Sequence, residues 1–79
     1  MKNRLKVQRA IHDLTQEALA KKIGVTRQTV NAMELRKYVP STVLALRLSK
    51  VFGVPVEEFF MLEDNEYPEG LSNDTVEIK

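Results

Sequence analysis

Residues 16–35, with the sequence QEALAKKIGVTRQTVNAMEL, decide the fold of this 79-residue chain. The apolar spacing predicts two short helices, Gln16–Ile23 and Arg27–Leu35, joined with almost no linker. Gly24 ends the first helix, because glycine accepts a positive φ at little cost. Ala20 is small where the second helix must cross closely. This combination predicts a helix-turn-helix, because an arbitrary helical hairpin does not need Ala and Gly four residues apart.

The flanking sequence predicts three further helices around this pair. Asn3 is an N-cap candidate for a first helix that ends near residue 11 or 12. Ser41 is the expected cap of a fourth helix, Thr42–Phe52, whose apolar arc is wider than the ~100° of an ordinary surface helix. Pro55 precedes a short last helix over Val56–Phe60. The shared core is expected to contain Leu19, Ile23, Val25, Val30 and Met33.

The last stretch has a different character. Turn-forming residues follow Met61, and Thr75–Lys79 alternates apolar and polar side chains as a strand does. We therefore expect a helix-turn-helix domain over residues 1–62 and an acidic C-terminal extension over residues 63–79, in which Thr75–Lys79 is a candidate strand for pairing with a second copy of the chain.

The charge is divided unequally between the two ends of the chain. Residues 1–55 contain eleven Lys and Arg against three Asp and Glu, a net +8. Residues 56–79 contain one Lys against eight Asp and Glu, a net −7. A basic body with an acidic end is the asymmetry expected when one surface meets a polyanion, although solvated charges alone would give the same numbers.

The residue inventory argues against an enzyme. The chain has no Cys and a single His, and it lacks a Gly-rich phosphate loop and metal-ligand spacing. We therefore predict no catalytic residue, no metal and no cofactor. The apolar runs are too short for a membrane span, and charges interrupt the first fourteen residues where a signal peptide would lie. A cytoplasmic protein is expected.

Residues 16–30 resemble the helix-turn-helix of the phage Cro/repressor type, the Xre-like regulators. The resemblance extends from about Asn3 to Phe60 and includes the Leu14-Thr15-Gln16 entry and the Phe52-Gly53-Val54 segment. It implies an all-α, five-helix bundle like that of lambda repressor. In this fold the third helix enters the major groove of double-stranded DNA.

The resemblance and the polar face of the third helix identify the same candidate contacts. Base contacts are expected from the start of that helix, because its N-terminal residues reach base edges in this motif; they are Arg27, Gln28, Thr29 and Asn31. Phosphate contacts are expected from the residues at matching family positions: Gln16, Lys37 and Tyr38.

Four other family positions bear on packing. The resemblance implies that Arg9 and Glu34 pair between the first and third helices. Gln8 stands where the family usually has a core Leu, which predicts looser packing of the first helix. Arg36 stands where Gly or Asn is common. Because a left-handed Arg costs roughly 1–2 kcal/mol, we expect this loop to take another course.

One recognition helix reads only ~4–5 base pairs, so a dimer on a palindromic operator is the usual solution. We therefore predict a homodimeric transcriptional repressor. Its interface would use the exposed apolar candidates of the fourth helix and the last segment: Val43, Leu46, Phe60, Met61 and Leu62. Two alternatives are an antitoxin or phage-immunity regulator with a protein partner, and a protein-interaction module of the same fold without DNA binding.

Overall fold

The computed structural model describes residues 1–71 and contains four α-helices and a two-stranded sheet in that range. The helices are α1 (Leu5–Ile11), α2 (Gln16–Ile23), α3 (Arg27–Glu34) and α4 (Thr42–Phe52). Strand β1 (Lys2–Asn3) pairs antiparallel with β2 (Phe60–Met61), and Lys2 lies opposite Met61. Single 3-10 turns occur at Val56–Glu58 and Asp64–Glu66.

The helix boundaries follow from side chains that satisfy free backbone groups. Thr15, Thr26 and Ser41 each accept a hydrogen bond from the backbone N–H three residues later, which caps α2, α3 and α4. Gly24 ends α2 at φ +79°, and Gly53 ends α4 at φ +70°. These predictions of the caps and of the α2 and α4 boundaries are confirmed.

The core joins all four helices to the segment that follows α4. Leu44, Leu48 and Phe52 form the inward face of α4, and the Phe52 ring meets Phe59 edge-on at 5.3 Å. The other buried apolar side chains are Leu5, Leu19, Ala20, Ile23, Val30, Met33 and Phe60. The wide apolar arc of α4 therefore has only one buried side, and Val43 and Leu46 on the other side stay exposed.

The predicted fifth helix at Val56–Phe60 is wrong as an α-helix. Within this predicted helix, residues Val56–Glu58 form a single 3-10 turn, and Phe60 is the first residue of β2. The chain leaves the turn because the Arg4 N–H donates to the Phe59 carbonyl at 2.8 Å, which directs Phe60 toward β1. The small sheet also corrects the all-α description of the fold.

The N-terminal prediction is corrected in the same way. Asn3 lies in β1, and α1 begins at Leu5 after Arg4. Asn3 nonetheless accepts a bond from the Leu5 N–H at 3.3 Å, while its amide nitrogen donates to the Met33 carbonyl at 2.9 Å. One side chain thus ties the start of α1 to the end of α3, which holds the helix-turn-helix against the sheet.

One expectation at a departure from the family pattern is also wrong. Arg36 adopts φ +62°, the left-handed conformation that the sequence argued against. Its N–H donates to the Met33 carbonyl and the Lys37 N–H to the Ala32 carbonyl, so the backbone closes α3 as a glycine would. At a second departure, the polar side chain of Gln8 lies on the buried side of α1 with Leu5.

Two further observations concern the ends and length of the elements. The strand candidate Thr75–Lys79 lies outside the described residues. Within residues 1–71, the longest helix is too short to cross a lipid bilayer.

Candidate nucleic-acid interface

The position of α3 depends on a tight joint with α2. Leu19, Ala20 and Ile23 of α2 are buried together with Val30 and Met33 of α3, as the sequence predicted. The turn between the helices takes its direction from Gly24, whose N–H and that of Val25 both donate to the Ala20 carbonyl. The opposite face of α3 is therefore directed away from the core.

Arg47 of α4 stabilises this joint from behind. Its guanidinium Nη1 donates to the Ile23 carbonyl at 3.1 Å, which satisfies a free acceptor at the end of α2. From the sequence, Arg47 was counted only among the basic residues, because no local pattern indicates that α4 passes beside the turn between α2 and α3. The structure gives this residue a positioning role in the helix-turn-helix.

An ion pair fixes the far end of α3. Arg9 Nε donates to Glu34 Oε2 at 2.6 Å and Nη2 to Oε1 at 3.2 Å, and the Glu34 side chain is 2% exposed. Arg9 Nη1 also bonds the Leu14 carbonyl at 3.0 Å. The pair implied by the family resemblance is confirmed, and it connects α1, the loop before α2 and α3.

Gln16 extends this network to the surface. Its amide nitrogen donates to Glu34 Oε1 at 3.0 Å and to Asn31 Oδ1 at 3.1 Å. Both amide hydrogens of Gln16 are thereby used within the protein. The Asn31 carbonyl oxygen is held toward α2, and its own amino group stays available to a ligand.

The outward face of α3 carries a shallow depression of about 230 Å³. Arg27, Gln28 and Asn31 line it together with Lys37 from the following loop. None of the acidic side chains in residues 1–71 lines it, so its charge is positive. Arg27 also lines a neighbouring depression with Gln16, which brings the start of α2 and the start of α3 to one surface.

Two of the predicted contact residues lie apart from this depression. Thr29 is half-buried, and its hydroxyl is 3.0 Å from the hydroxyl of Thr26, the cap of α3. Tyr38 is 44% exposed but does not line the depression. The two depressions therefore bring together five predicted contact residues: Arg27, Gln28, Asn31, Gln16 and Lys37. Thr29 and Tyr38 do not line either depression.

Two apolar residues that were not predicted from the sequence as contact residues also line the depression. Ala32 is half-buried and Leu35 is 52% exposed, and both line the depression beside Gln28. Their signal in the sequence is spacing: Gln28, Ala32 and Leu35 lie at i, i+4 and i+7 on one helix face.

The apolar candidates for a dimer surface divide by exposure. Val43 is 60% exposed, Leu46 is 59% and Leu62 is 44%, while Met61 is half-buried. Phe60 is only 8% exposed, so its predicted exposure is wrong. The centroid of its ring lies 5.0 Å from that of Phe59, because the pairing of β2 with β1 turns the Phe60 side chain inward.

The comparisons with known proteins agree with this geometry. A helix-turn-helix family model matches residues 5–59. An uncharacterized HTH-type transcriptional regulator of Methanocaldococcus jannaschii is 58% identical over 66 residues, covering 84% of this chain and all of the relative. The uncharacterized HTH-type transcriptional regulator YgzD of Bacillus subtilis is 48% identical over 64 residues, covering 81% of this chain and 97% of the relative.

A third relative comes from Archaeoglobus fulgidus. This uncharacterized HTH-type transcriptional regulator is 42% identical over 66 residues, covering 84% of this chain and 94% of its own length. The matched region contains the α2–α3 joint, and the resemblance inferred from residues 16–30 is confirmed. The chain belongs to the Xre-type helix-turn-helix family.

Proposed function

We propose that this protein is a sequence-specific, double-stranded DNA-binding transcriptional regulator that acts as a dimeric repressor. The observation that carries the proposal is the positive depression on the outward face of α3, lined by Arg27, Gln28, Asn31 and Lys37. The names of the relatives, HTH-type transcriptional regulators, support the same function.

In this proposal α3 lies in the major groove with its first residues on base edges. Arg27 is suited to guanine O6 and N7, and Gln28 to adenine N6 and N7. Asn31 offers its amino group to a base acceptor, because its carbonyl oxygen bonds Gln16. Thr29 offers its methyl group and the remaining hydrogen-bonding capacity of its hydroxyl, which already bonds the helix cap.

Phosphate contacts would flank these base contacts. Lys37 lines the depression with a positive charge, and Tyr38 follows it with an exposed side chain. Gln16 has both amide hydrogens engaged, so we assign its phosphate contact to the backbone N–H at the start of α2.

Selection of bound duplexes from a random pool tests the proposal. We expect one enriched sequence, and we expect Arg27→Ala and Gln28→Ala each to relax preference at one base position at a cost of about 1–3 kcal/mol. Lys50→Ala is the matched control, because Lys50 is exposed on a different face beside Leu46 and Pro55. Equal weakening on all sequences would contradict the base-contact assignment.

Salt dependence separates phosphate contacts from base contacts. Lys37→Ala should weaken binding to all duplexes alike and reduce the slope of log affinity against log salt by about one unit. Absence of any mobility shift with random duplexes at ~50 mM salt would instead favour the protein-interaction module, since non-specific affinity rises steeply as salt falls.

The dimer would form through the exposed apolar side chains of α4 and the segment after β2. Val43, Leu46 and Leu62 are each more than 40% exposed, so replacing them leaves the core intact. We expect Leu46→Glu to give a folded monomer by sedimentation at micromolar concentration, and Lys6→Glu, at an exposed position of α1, to stay dimeric. A chain ending at Leu62 that remains dimeric would remove any need for Thr75–Lys79 in assembly.

A further inference from the structure

The stripe formed by Gln28, Ala32 and Leu35 combines one amide with two apolar side chains in the wall of the positive depression. Leu35 is 52% exposed and lines this depression together with Arg27 and Lys37, two residues that suit nucleic acid. Phosphate binding gives no reason for an exposed Leu at this place. An apolar side chain gains free energy here only if the ligand itself presents an apolar group.

We propose that Ala32 and Leu35 form a receptor for the 5-methyl group of thymine, which makes them specificity-determining residues. This inference rests on the proposed DNA-binding function and extends it to the identity of a base. Among the four bases, only thymine presents a methyl group in the major groove, and apolar side chains are its usual partners. The positive side chains of Arg27 and Lys37 attract the duplex, and the apolar side chains of the stripe contact the methyl group.

The dimensions of α3 fix where that thymine lies. Ala32 is about 6 Å from Gln28 along the helix axis at ~1.5 Å per residue, and Leu35 about 10 Å. Base pairs are stacked ~3.4 Å apart, so the methyl belongs to a base pair about two to three steps from the one that Gln28 contacts. The proposed site therefore has a thymine two or three base pairs from the Gln28 contact.

The two apolar residues are free to serve this role because the fold does not need them for its core. Val30 and Met33 supply the inward face of α3 and are at most 1% exposed. The backbone closure after α3 uses the Ala32 carbonyl, which every residue type possesses. Substitutions of the Leu35 side chain are therefore expected to leave the fold intact.

Deoxyuridine scanning of the selected duplex tests the inference without altering the protein. Each thymine is replaced singly by deoxyuridine, which keeps every hydrogen-bonding group and lacks only the methyl. We expect about four-fold weaker binding at one or two positions that lie two to three base pairs from the Gln28 contact, because burying one methyl-sized group is worth about that factor. Elsewhere the replacement should change affinity less than two-fold.

Leu35→Asn supplies the protein half of the test. This variant keeps a branched side chain of similar shape but replaces the two methyl groups by an amide, so the penalty for deoxyuridine should fall below two-fold at the same positions. Ile11→Asn is the control, because Ile11 is 65% exposed at the end of α1 and should keep the full penalty. A selected duplex without any methyl-dependent position, or a penalty that Leu35→Asn leaves unchanged, overturns the inference. Failure to select any sequence overturns the proposed function as well.

Discussion

At the scale of single residues, Glu34 is the most constrained side chain of the helix-turn-helix. It accepts bonds from Arg9 and Gln16 while only 2% of it is exposed, so it joins the core of the domain to its recognition surface. A buried carboxylate is tolerated only with such partners, because an unpaired charge in the interior is costly. The same contacts hold α3 in place and set the orientation of Asn31 through Gln16.

We predict that Glu34→Ala lowers the free energy of unfolding by about 3–5 kcal/mol, because the Arg9 guanidinium would lose its charged partner while only 17% of its side chain is exposed. Urea unfolding followed by circular dichroism measures the change. Glu57→Ala, at an exposed position, should change stability by less than about 0.5 kcal/mol.

The double variant distinguishes a specific ion pair from general disruption. Arg9→Ala combined with Glu34→Ala should cost clearly less than the sum of the two single changes, because each single variant already removes the same interaction. Strict additivity would show that the two side chains contribute independently.

Arg36 carries backbone strain rather than a favourable contact. Its φ of +62° costs a non-glycine residue about 1–2 kcal/mol. Its ion pair with Glu63 at 3.7 Å joins two side chains that are 54% and 41% exposed, and such a pair contributes little.

Arg36→Gly should therefore raise the free energy of unfolding by about 0.5–1 kcal/mol, after the extra entropy of glycine in the unfolded chain is subtracted. Thermal and urea unfolding both report this change. The same substitution in a Glu63→Ala background excludes the contribution of the ion pair, and a loss of stability from Arg36→Gly in that background would show that Arg36 is not strained.

At the scale of elements, α4 does more than fill the core. Its inward face packs against the core, and its outward face exposes Val43 and Leu46. The Arg47 side chain of the same helix caps the end of α2. The angle between α2 and α3 thus depends on a side chain that is remote in sequence. A hydrogen bond from a charged donor is stronger than a neutral one, which suits this role.

Arg47→Met should lower the free energy of unfolding by about 1–2 kcal/mol, because the Ile23 carbonyl loses its charged donor while the apolar stem is kept. Chemical denaturation measures the loss. Lys50→Met removes the same charge from an exposed position of the same helix and is the matched control. Equal stability of the two variants would mean that Arg47 acts only as a surface charge.

At the scale of the whole molecule, the first and last described segments hold each other. The Met1 amine lies 2.9 Å from Glu66 Oε2 and 3.3 Å from Glu63 Oε2, beside the sheet that pairs β1 with β2. The bond with Glu66 raises the pKa of the Met1 amine above its ordinary 8.0. A bond from the Glu63 N–H, followed by the bond with the amine, lowers the pKa of Glu66 below its ordinary 4.5.

These two shifts predict a pH window for this contact. The raised pKa of the amine gives stabilisation that is complete below pH 8.0 and is lost as the pH rises through the raised value. The lowered pKa of Glu66 gives stabilisation that is present above pH 4.5 and is lost as the pH falls through the lowered value.

Titration of the Met1 and Glu66 resonances by nuclear magnetic resonance should show both limits of that window. Glu66→Gln should bring the pKa of the amine down toward 8.0, because the largest cause of its increase is removed. An amine pKa that is the same in this variant would place the origin of the shift elsewhere.

The local elements of this protein were determined by the sequence alone. Thr15, Thr26 and Ser41 cap their helices, and Gly24 ends α2, because each acts through backbone groups within a few residues. The apolar periodicity of α2 and α3 was sufficient to predict their buried faces. The Arg9–Glu34 pair was predictable only through the family resemblance.

Tertiary structure alone decided the features that depend on distant partners. The end of the predicted last helix became β2 because β1, almost sixty residues earlier, supplies its hydrogen bonds. Arg47 became a helix cap and Phe60 a core residue for the same reason. Periodicity reports which face of a segment is apolar, but it carries no information on which distant backbone group that segment will meet, and such meetings arise only when the whole chain packs.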